Sequence, residues 1–376
     1  MLADQLQDIL GSLSALSFEI GLLAGALLLL ILGMLVKSRI AFKIAYVVVL
    51  IAGLLLIRFE DNGLMLFNEN LAIDDLGAIL KALLVFAGIW IVFFPTSENH
   101  GSEFYFLILS VIVGSSFMLS ANNLLVIYLV VELTSFASYT LTNFNFEKKS
   151  YEAGIKYLLF GGVSSALALY GASILYGYSG TLTLSEFSFG LLENDYFLNV
   201  GMLLFVGGLL FKVSIVPFHI WVPSTYEATP TEAVTILSIV PKIAGLVLLN
   251  RVLDSLDMMG QSWLLLSITI LGIATIGIGT LGALRQTNVK RMIAYGAIAH
   301  SGFLLAAVLI PYQNGLQAFV WYSVVYSIMN IVVFYLISIF ESKGITEVHQ
   351  FAGLSSKEAY LGGVVVVVMI ALIGLP

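Results

Sequence analysis

The 376-residue sequence predicts an all-α fold, a polytopic bundle of about twelve transmembrane helices. Three observations carry that prediction. Hydrophobic residues make up 60% of the chain and charged ones only 10%, with a mean hydropathy of +1.02, whereas roughly a quarter of residues are charged in soluble domains. Apolar stretches of about twenty residues recur along the whole chain, the length that crosses a hydrocarbon core of about 30 Å as a helix. The 34 glycines are spread through these stretches, which suits close helix packing in lipid and not the alternation of a β-barrel strand.

Taken in order, the first span is 17–36, followed by the basic residues Lys37, Arg39 and Lys43 around the start of the second at 40–57. An acidic loop at 58–75 leads to the third span, 74–94, and the fourth and fifth follow at 103–120 and 122–141. Lys148 and Lys149 precede the sixth at 153–178, and a second acidic loop, 179–196, precedes the seventh at 197–217, which Pro217 ends. The eighth, 231–250, carries Pro241, and the ninth, 262–282, carries the glycine-rich GIGTLG. Lys290 and Arg291 open the tenth, 290–310; the eleventh is 314–340, and the twelfth, 359–376, runs to the last residue. An end inside an apolar run, with no polar tail, implies a fragment with further helices beyond it. The first residues carry Asp4 and Asp8 and no basic stretch, so they do not resemble a cleaved signal peptide and the first span is expected to remain.

Threading these spans through a membrane sorts the basic residues. Lys37, Arg39, Lys43, Lys148, Lys149, Arg285, Lys290, Arg291, Lys343 and Lys357 fall on one side, and only Arg58 and Arg251 on the other. The excess of positive charge on cytoplasmic loops then places the first residues outside. Four lysines remain within spans: Lys81, Lys156, Lys212 and Lys242. Glu132 is the single carboxylate near the middle of one, the eleventh residue of 122–141, while the other acids read as span ends or loops. Zero cysteines exclude disulfides, thiolate zinc sites and cysteine-ligated iron–sulfur clusters in this chain. The net charge of −7 and the lack of a basic run exclude nucleic acid as a partner.

A charged group at the centre of a bilayer costs at least about 2.5–3.5 kcal/mol on insertion scales, so membrane lysines are usually functional or paired. Lysine also releases its proton when desolvated far more readily than arginine does. Lys212 and Lys242 flank a proline-broken stretch, FKVSIVPFHIWVPSTYEATPTEAVTILSIVPKIAG, in which Pro217, Pro223 and Pro230 follow one another closely. The helix carrying Lys212 must stop or kink there. Broken helices at membrane depth line polar cavities and ion sites; the other reading is an interfacial loop. Pro241 frees the carbonyl of Leu237, so Lys242 has a carbonyl or water to contact, or stands beside an ordinary kink. Snorkelling is the alternative for all four lysines, strongest for Lys156 and Lys81 near the starts of their spans. Glu132 could pair with a neighbouring lysine. His219, just past the break, and His300, mid-span, read as proton relays or as hydrogen-bonded structural groups, while His100 and His349 fall in loops. No histidine spacing suggests a metal or haem. GIGTLG lacks a preceding strand and reads as a helix-packing stripe, not a dinucleotide site.

FKVSIVPFHIWVPSTYEATPTEAV with SIVPKIA resembles the proton-translocating membrane subunits of respiratory complex I, the NADH:quinone oxidoreductase, a family related to Mrp-type cation/proton antiporters. Within that family the resemblance is closest to the N-type subunits. YEAGIKYLLFGGVSSAL and TNVKRMIAYGAIAHSGFLL support it, and it runs from about residue 100 to the end. The L- and M-type relatives usually show H-A-A-T-M-V after the break, where this chain has ILSIVPKIA.

The resemblance implies inverted five-helix repeats, each with a broken helix. Residues 1–100 would be accessory helices, 101–255 the first repeat, and 256–376 an incomplete second repeat whose own break falls around the terminal IALIGLP. It implies that Glu132 is the partner carboxylate, Lys212 the lysine of the broken helix and Lys242 the central relay, with Lys156 and His300 on the connecting route; His219, just past the break, stays a site candidate on its own position. It further implies a non-redox translocase subunit with no cofactor of its own, the FMN, iron–sulfur clusters, NADH and quinone belonging to other subunits. The implied partners are M-, K-, J- and L-like membrane subunits, the lipid bilayer and protons, in a bacterial inner membrane or else a mitochondrial one. An Mrp-type antiporter subunit and a non-transporting scaffold are the rival readings.

Overall fold

A computed structural model describes residues 2–36, 38–59, 63–95, 100–187, 195–256, 262–310 and 312–373. Lys37, residues 374–376 of the terminal IALIGLP, and the side chains of Arg39 and Lys357 lie outside the described residues.

The chain is built from helices: α1 (Leu2–Ala15), α2 (Ser17–Leu35), α3 (Arg39–Leu55), α4 (Asp75–Trp90), α5 (Ser102–Ser120), α6 (Leu124–Thr142), α7 (Lys148–Ser179) and α8 (Tyr196–Leu210). Then come α9 (Trp221–Ala228), α10 (Thr231–Ser255), α11 (Ser262–Ala283), α12 (Val289–Val308), α13 (Tyr312–Ser342), α14 (Leu354–Lys357) and α15 (Ala359–Ile373). Nine described helices are long and apolar enough to cross a membrane, and three shorter apolar ones, Ile40–Leu55, Tyr196–Leu210 and Ala359–Ile373, stand at other expected positions.

Two elements were not expected. One is α1, too short and too polar to register as a span. The other is a small antiparallel hairpin, β1 (Leu64–Leu66) with β2 (Leu71–Ile73), in the acidic loop.

Helix starts are set by short polar side chains. Asp74 accepts from Gly77 N at 2.7 Å, Asn123 from Leu125 N at 2.9 Å, Asp195 from Phe197 N at 2.8 Å and Asn288 from Arg291 N at 3.1 Å. Gly180, at φ 72°, ends α7 in the left-handed conformation that glycine adopts without strain.

Helix α10 is the axis of the bundle. It is buried from Thr231 through Leu249 and packs against α4, α5, α6, α8, α12 and α13. A helix with no outward-facing stripe, its polar groups enclosed by neighbours, belongs in such a place. By contrast α7 and α11 turn Leu158, Leu159, Val163, Leu266, Ile270 and Ile273 outward, as helices in lipid do. Gly279 of GIGTLG lies so close to α12 that an added Cβ would meet Ala299 N at 2.5 Å; the stripe is a helix contact.

The sidedness expected from the charges has a structural counterpart. Asn145, Lys149, Glu227, Thr229, Lys290 and Glu341, drawn from alternate connections, line one common vestibule. Residues of the remaining connections meet one another elsewhere: Arg251 with Asp74 at 2.5 Å, Asn122 with the Glu69 carbonyl at 2.8 Å, and Asn123 bridging Thr183.

Candidate proton-handling site

The break comes earlier than Pro217 alone requires. Helix α8 ends at Leu210, and 211–220 form turns instead. Lys212 N bonds Leu209 O and Ser214 N bonds Phe211 O, each at 3.1 Å. Ser214 sits at φ 61° and the Val216–Pro217 peptide is cis. With the regular ladder gone, Val216 N finds Thr275 Oγ1 of α11 at 3.0 Å. An unwound backbone needs such outside partners to survive at membrane depth. Past the break, Trp221 stacks on Tyr157 at 4.1 Å, and Tyr157 meets Tyr139 edge-on at 4.7 Å. This aromatic stack holds α9 against α6 and α7.

Lys212 therefore lies in the unwound segment itself. It is 3% exposed, and its Nζ has no hydrogen-bond partner. Its backbone side abuts Gly245 of α10, where an added Cβ would stand 3.4 Å from Lys212 Cβ. Gly245 is three residues beyond Lys242, one turn along the same helix.

Lys242 is 1% exposed and donates to Ala297 O of α12 at 2.7 Å and to Tyr326 Oη of α13 at 3.0 Å. The expected contact with a carbonyl is present, but the carbonyl belongs to α12 and not to the turn loosened by Pro241. Tyr326 Oη in turn donates to Ser238 O at 3.0 Å. His300 sits beside this group, its ring 5.6 Å from that of Tyr326 and its Nδ1 2.7 Å from Tyr322 Oη. Lys242, Tyr326 and His300 thus form one buried cluster, with the half-buried Tyr322 at its edge.

Glu132 is half-buried and accepts a short hydrogen bond from Ser165 of α7. It makes no ion-pair contact with Lys212. A cavity lined by Val131, Ser135, Ser164, Ser165 and Phe211 lies beside it, reaching the residue next to Lys212. Lys156 is apart from the others, an exposed lysine paired with Glu152 at 2.6 Å one turn back. His219 is half-buried in the break, with Nδ1 unpartnered.

Sequence reasoning missed two groups. Glu19, taken as a span-end acid, is fully buried and pairs with Lys81 at 2.7 Å, while Ser116 donates to the same carboxylate. Glu19 is the third residue of α2 and Lys81 the seventh of α4, and both helices start on the same side, which lets the two depths meet without identifying them as partners. Tyr322 and Tyr326 were also overlooked, though their spacing of four puts them on one face of α13.

The model of the NADH:quinone oxidoreductase/Mrp antiporter transmembrane family matches residues 121–376. NADH-quinone oxidoreductase subunit N of Pelagibacter ubique is 33% identical over 371 residues, covering 95% of this chain and 78% of that protein. Among solved structures, respiratory complex I from Thermus thermophilus with bound aureothin contains a chain of similar fold. The TM-score is 0.80 at 27% identity, covering 96% of this chain and 79% of that one. A chain of the Mrp complex from Dietzia sp. DQ12-45-1b shares the fold with a TM-score of 0.74 at 19% identity, covering 88% of this chain and 65% of that one. The chain belongs to the NADH:quinone oxidoreductase/Mrp antiporter transmembrane family, and within it to the group of subunit N proteins.

Proposed function

We propose that this chain is a proton-translocating membrane-arm subunit of an NADH:quinone oxidoreductase, crossing a bacterial inner membrane about twelve times with one five-helix repeat and an inverted second repeat that is incomplete in residues 256–376. One observation carries the reading: two lysines are buried to within a few per cent, Lys212 in the break against Gly245, which is one turn of α10 beyond Lys242, and while Lys212 Nζ is unpartnered Lys242 is held by a carbonyl and a hydroxyl, not a carboxylate. Buried ammonium groups held without a counter-ion are costly, and a group that can give up its proton relieves that cost. In this reading Lys212 and Lys242 exchange a proton, Glu132 biases Lys212 through its charge, and His300 with Tyr322 continues the route. Lys156 and His219 are peripheral members, at an exposed face and at the edge of the break.

Redox chemistry with FMN, iron–sulfur clusters, NADH and quinone is assigned to partner subunits, and the neighbours in the membrane to M-, K-, J- and L-like chains. The Mrp-type reading keeps the same lysines but needs a sodium gradient instead of redox partners. It is favoured less, because the subunit N relative is 33% identical and the Mrp chain 19%. The test is Lys212→Ala and Lys242→Ala in the assembled complex in sealed vesicles. NADH-driven proton uptake should fall with coupled NADH oxidation; unaltered uptake in fully assembled complex refutes the proposal, and sodium-driven uptake without NADH moves the chain to the antiporter class.

A further inference from the structure

The vestibule on the basic side is crossed by ion pairs that satisfy one another. Glu227 holds Lys149 at 2.6 Å and Arg291 at 3.0 Å, and Lys290 holds Glu341 at 2.8 Å. Two carboxylates on this lining stand outside those pairs, the exposed Glu147 and the more deeply set Glu232. Glu232 is only 6% exposed, and its one ion-pair contact among the described residues is His100 Nε2, at 3.6 Å. That distance is too long for a hydrogen bond, and His100 Nε2 is buried without any other partner, its ring stacked on Phe104 at 3.9 Å. A carboxylate on the vestibule lining, backed by a buried imidazole whose Nε2 is unpartnered, makes a proton-accepting pair.

Glu232 is also the second residue of α10, and Lys242 follows ten residues later, about 15 Å along the axis. Thr231, just before Glu232, and Thr235 and Ser238 beyond it recur at spacings of four and three, with Lys242 four further on, so these four stand on one face. All are buried. Ser238 Oγ donates to Thr235 O at 2.8 Å, and Ser238 O receives the Tyr326 hydroxyl that also meets Lys242. Across the seam α13 sets Ser323, Ser327 and Asn330, likewise buried, and Ser338, which lines the vestibule. Ser323 Oγ has no partner. Hydroxyls left with free lone pairs in a polar seam are places for bridging water.

We propose that Glu232 and His100 are the proton-loading pair for Lys242, taking protons from water on the basic side and delivering them along the Thr235–Ser238–Tyr326 seam. In each cycle the O–H of the protonated Glu232 carboxyl breaks and an N–H forms on the neutral Lys242 amine, with seam waters and the Tyr326 hydroxyl carrying the proton between them. The carboxylate regains a proton from water in the vestibule, so one proton moves and no electron does. His100 shares the proton at the mouth. Lys149, Glu227, Lys290 and Glu341 also face this space but are held in the pairs given above, Glu147 faces it from an exposed position, and the buried Tyr105 of α5 lies near Glu232 on the other side. The proposal rests on the reading of Lys242 as a proton carrier.

Inverted membrane vesicles holding the whole complex expose the vestibule to the medium. With Glu232→Gln, NADH-driven proton uptake should slow severalfold at about pH 8 and recover toward the parent rate at about pH 6, where bulk supply replaces the missing acceptor. His100→Gln should show the same trend more weakly, and Lys242→Ala should be impaired at every pH. A parent-like rate and pH profile for Glu232→Gln, or an equal deficit at all pH values, overturns the loading pair while an impaired Lys242→Ala leaves the relay standing. An unimpaired Lys242→Ala overturns the relay and the loading pair together. If Glu232→Gln does not assemble, His100→Gln decides: alkaline slowing supports the pair, and its absence overturns it.

Discussion

Lys81→Met should break the most tightly enclosed ion pair in the described chain. Lys81 Nζ and Glu19 Oε1 are 2.7 Å apart with side chains 5% and 0% exposed, and Glu19 Oε2 has no partner at all. Methionine keeps the length of the lysine stem and removes the charge. It leaves a buried carboxylate held only by the Ser116 hydroxyl, and removing one partner of a buried pair costs about 3–5 kcal/mol. Replacing both, as Glu19→Leu with Lys81→Met, removes the stranded charge as well, and well-packed apolar replacements of buried pairs come out near neutral or better. Ser116 can then turn back to a carbonyl of its own helix. The two changes should therefore couple by about 3 kcal/mol, roughly two orders of magnitude in the fraction of complex that falls apart. Heating the purified complex and following release of this subunit on native gels gives that fraction for parent, singles and double. The pair joins α2, α4 and α5 and stands outside the proposed relay, so proton uptake per assembled complex should not change. A double variant as unstable as the sum of the singles would refute the reasoning, as would a Lys81→Met within about 0.5 kcal/mol of the parent.

Two further outcomes follow from the geometry. Tyr326→Phe removes the hydroxyl that accepts from Lys242 at 3.0 Å and donates to Ser238 O; an unsatisfied buried donor costs about 1–3 kcal/mol. Proton uptake should slow, by less than for Lys242→Ala because the bond to Ala297 O survives, and a rate equal to the parent's would remove Tyr326 from the route. At the start of α8, the Leu198 backbone N–H, with the Tyr178 hydroxyl, holds the Asp195 carboxyl below its ordinary range. A lowered carboxylate stabilises the folded form above the ordinary value and loses that effect as pH falls through the lowered one. Hydrogen exchange in the first turn of α8, corrected for intrinsic rates, should thus speed up on acidification in the parent and stay flat in Asp195→Asn; matching profiles would contradict it.

How much was legible depended on whether the chemistry was local. The spans were, because twenty apolar residues announce a membrane helix whatever surrounds them, and so was the break, because proline acts on its own turn. The end of α8 at Leu210, seven residues ahead of Pro217, was not: it depends on Thr275 of another helix accepting a freed N–H. Lys242 was picked out by its cost, but its acceptors lie 55 and 84 residues away on α12 and α13. Glu19 was misjudged for a different reason. Depth was measured from the nearest span end, and three residues looked shallow, yet α3 and α5 cover that end of α2. Burial is a property of neighbours, and one chain read alone does not reveal which neighbours arrive. The hairpin escaped because its three-residue strands are too short for a periodic signal, and α1 because its 14 residues are too short and too polar to read as a span.

Glu132 and Lys212 illustrate why an absent contact can matter as much as a present one. Glu132 is occupied by Ser165, Lys212 has no acceptor, and serines with Phe211 line the space beside them. Turning the carboxylate from Ser165 toward Lys212 gives up one hydrogen bond to a charged group, worth about 1.5–3 kcal/mol. It gains a buried ion pair, whose attraction is largely offset by desolvation. The two arrangements therefore differ by a small remainder, and a change of one or two kcal/mol moves their ratio by about 5- to 30-fold. A permanently closed pair would hold its proton against any small push, and a pair kept far apart would never bias the lysine. An element balanced between open and closed is the one that a modest displacement of a neighbouring helix or subunit can tip. In the proposed reading, Glu132 accepting from Ser165 with Lys212 Nζ unpartnered is the open member of that pair of arrangements.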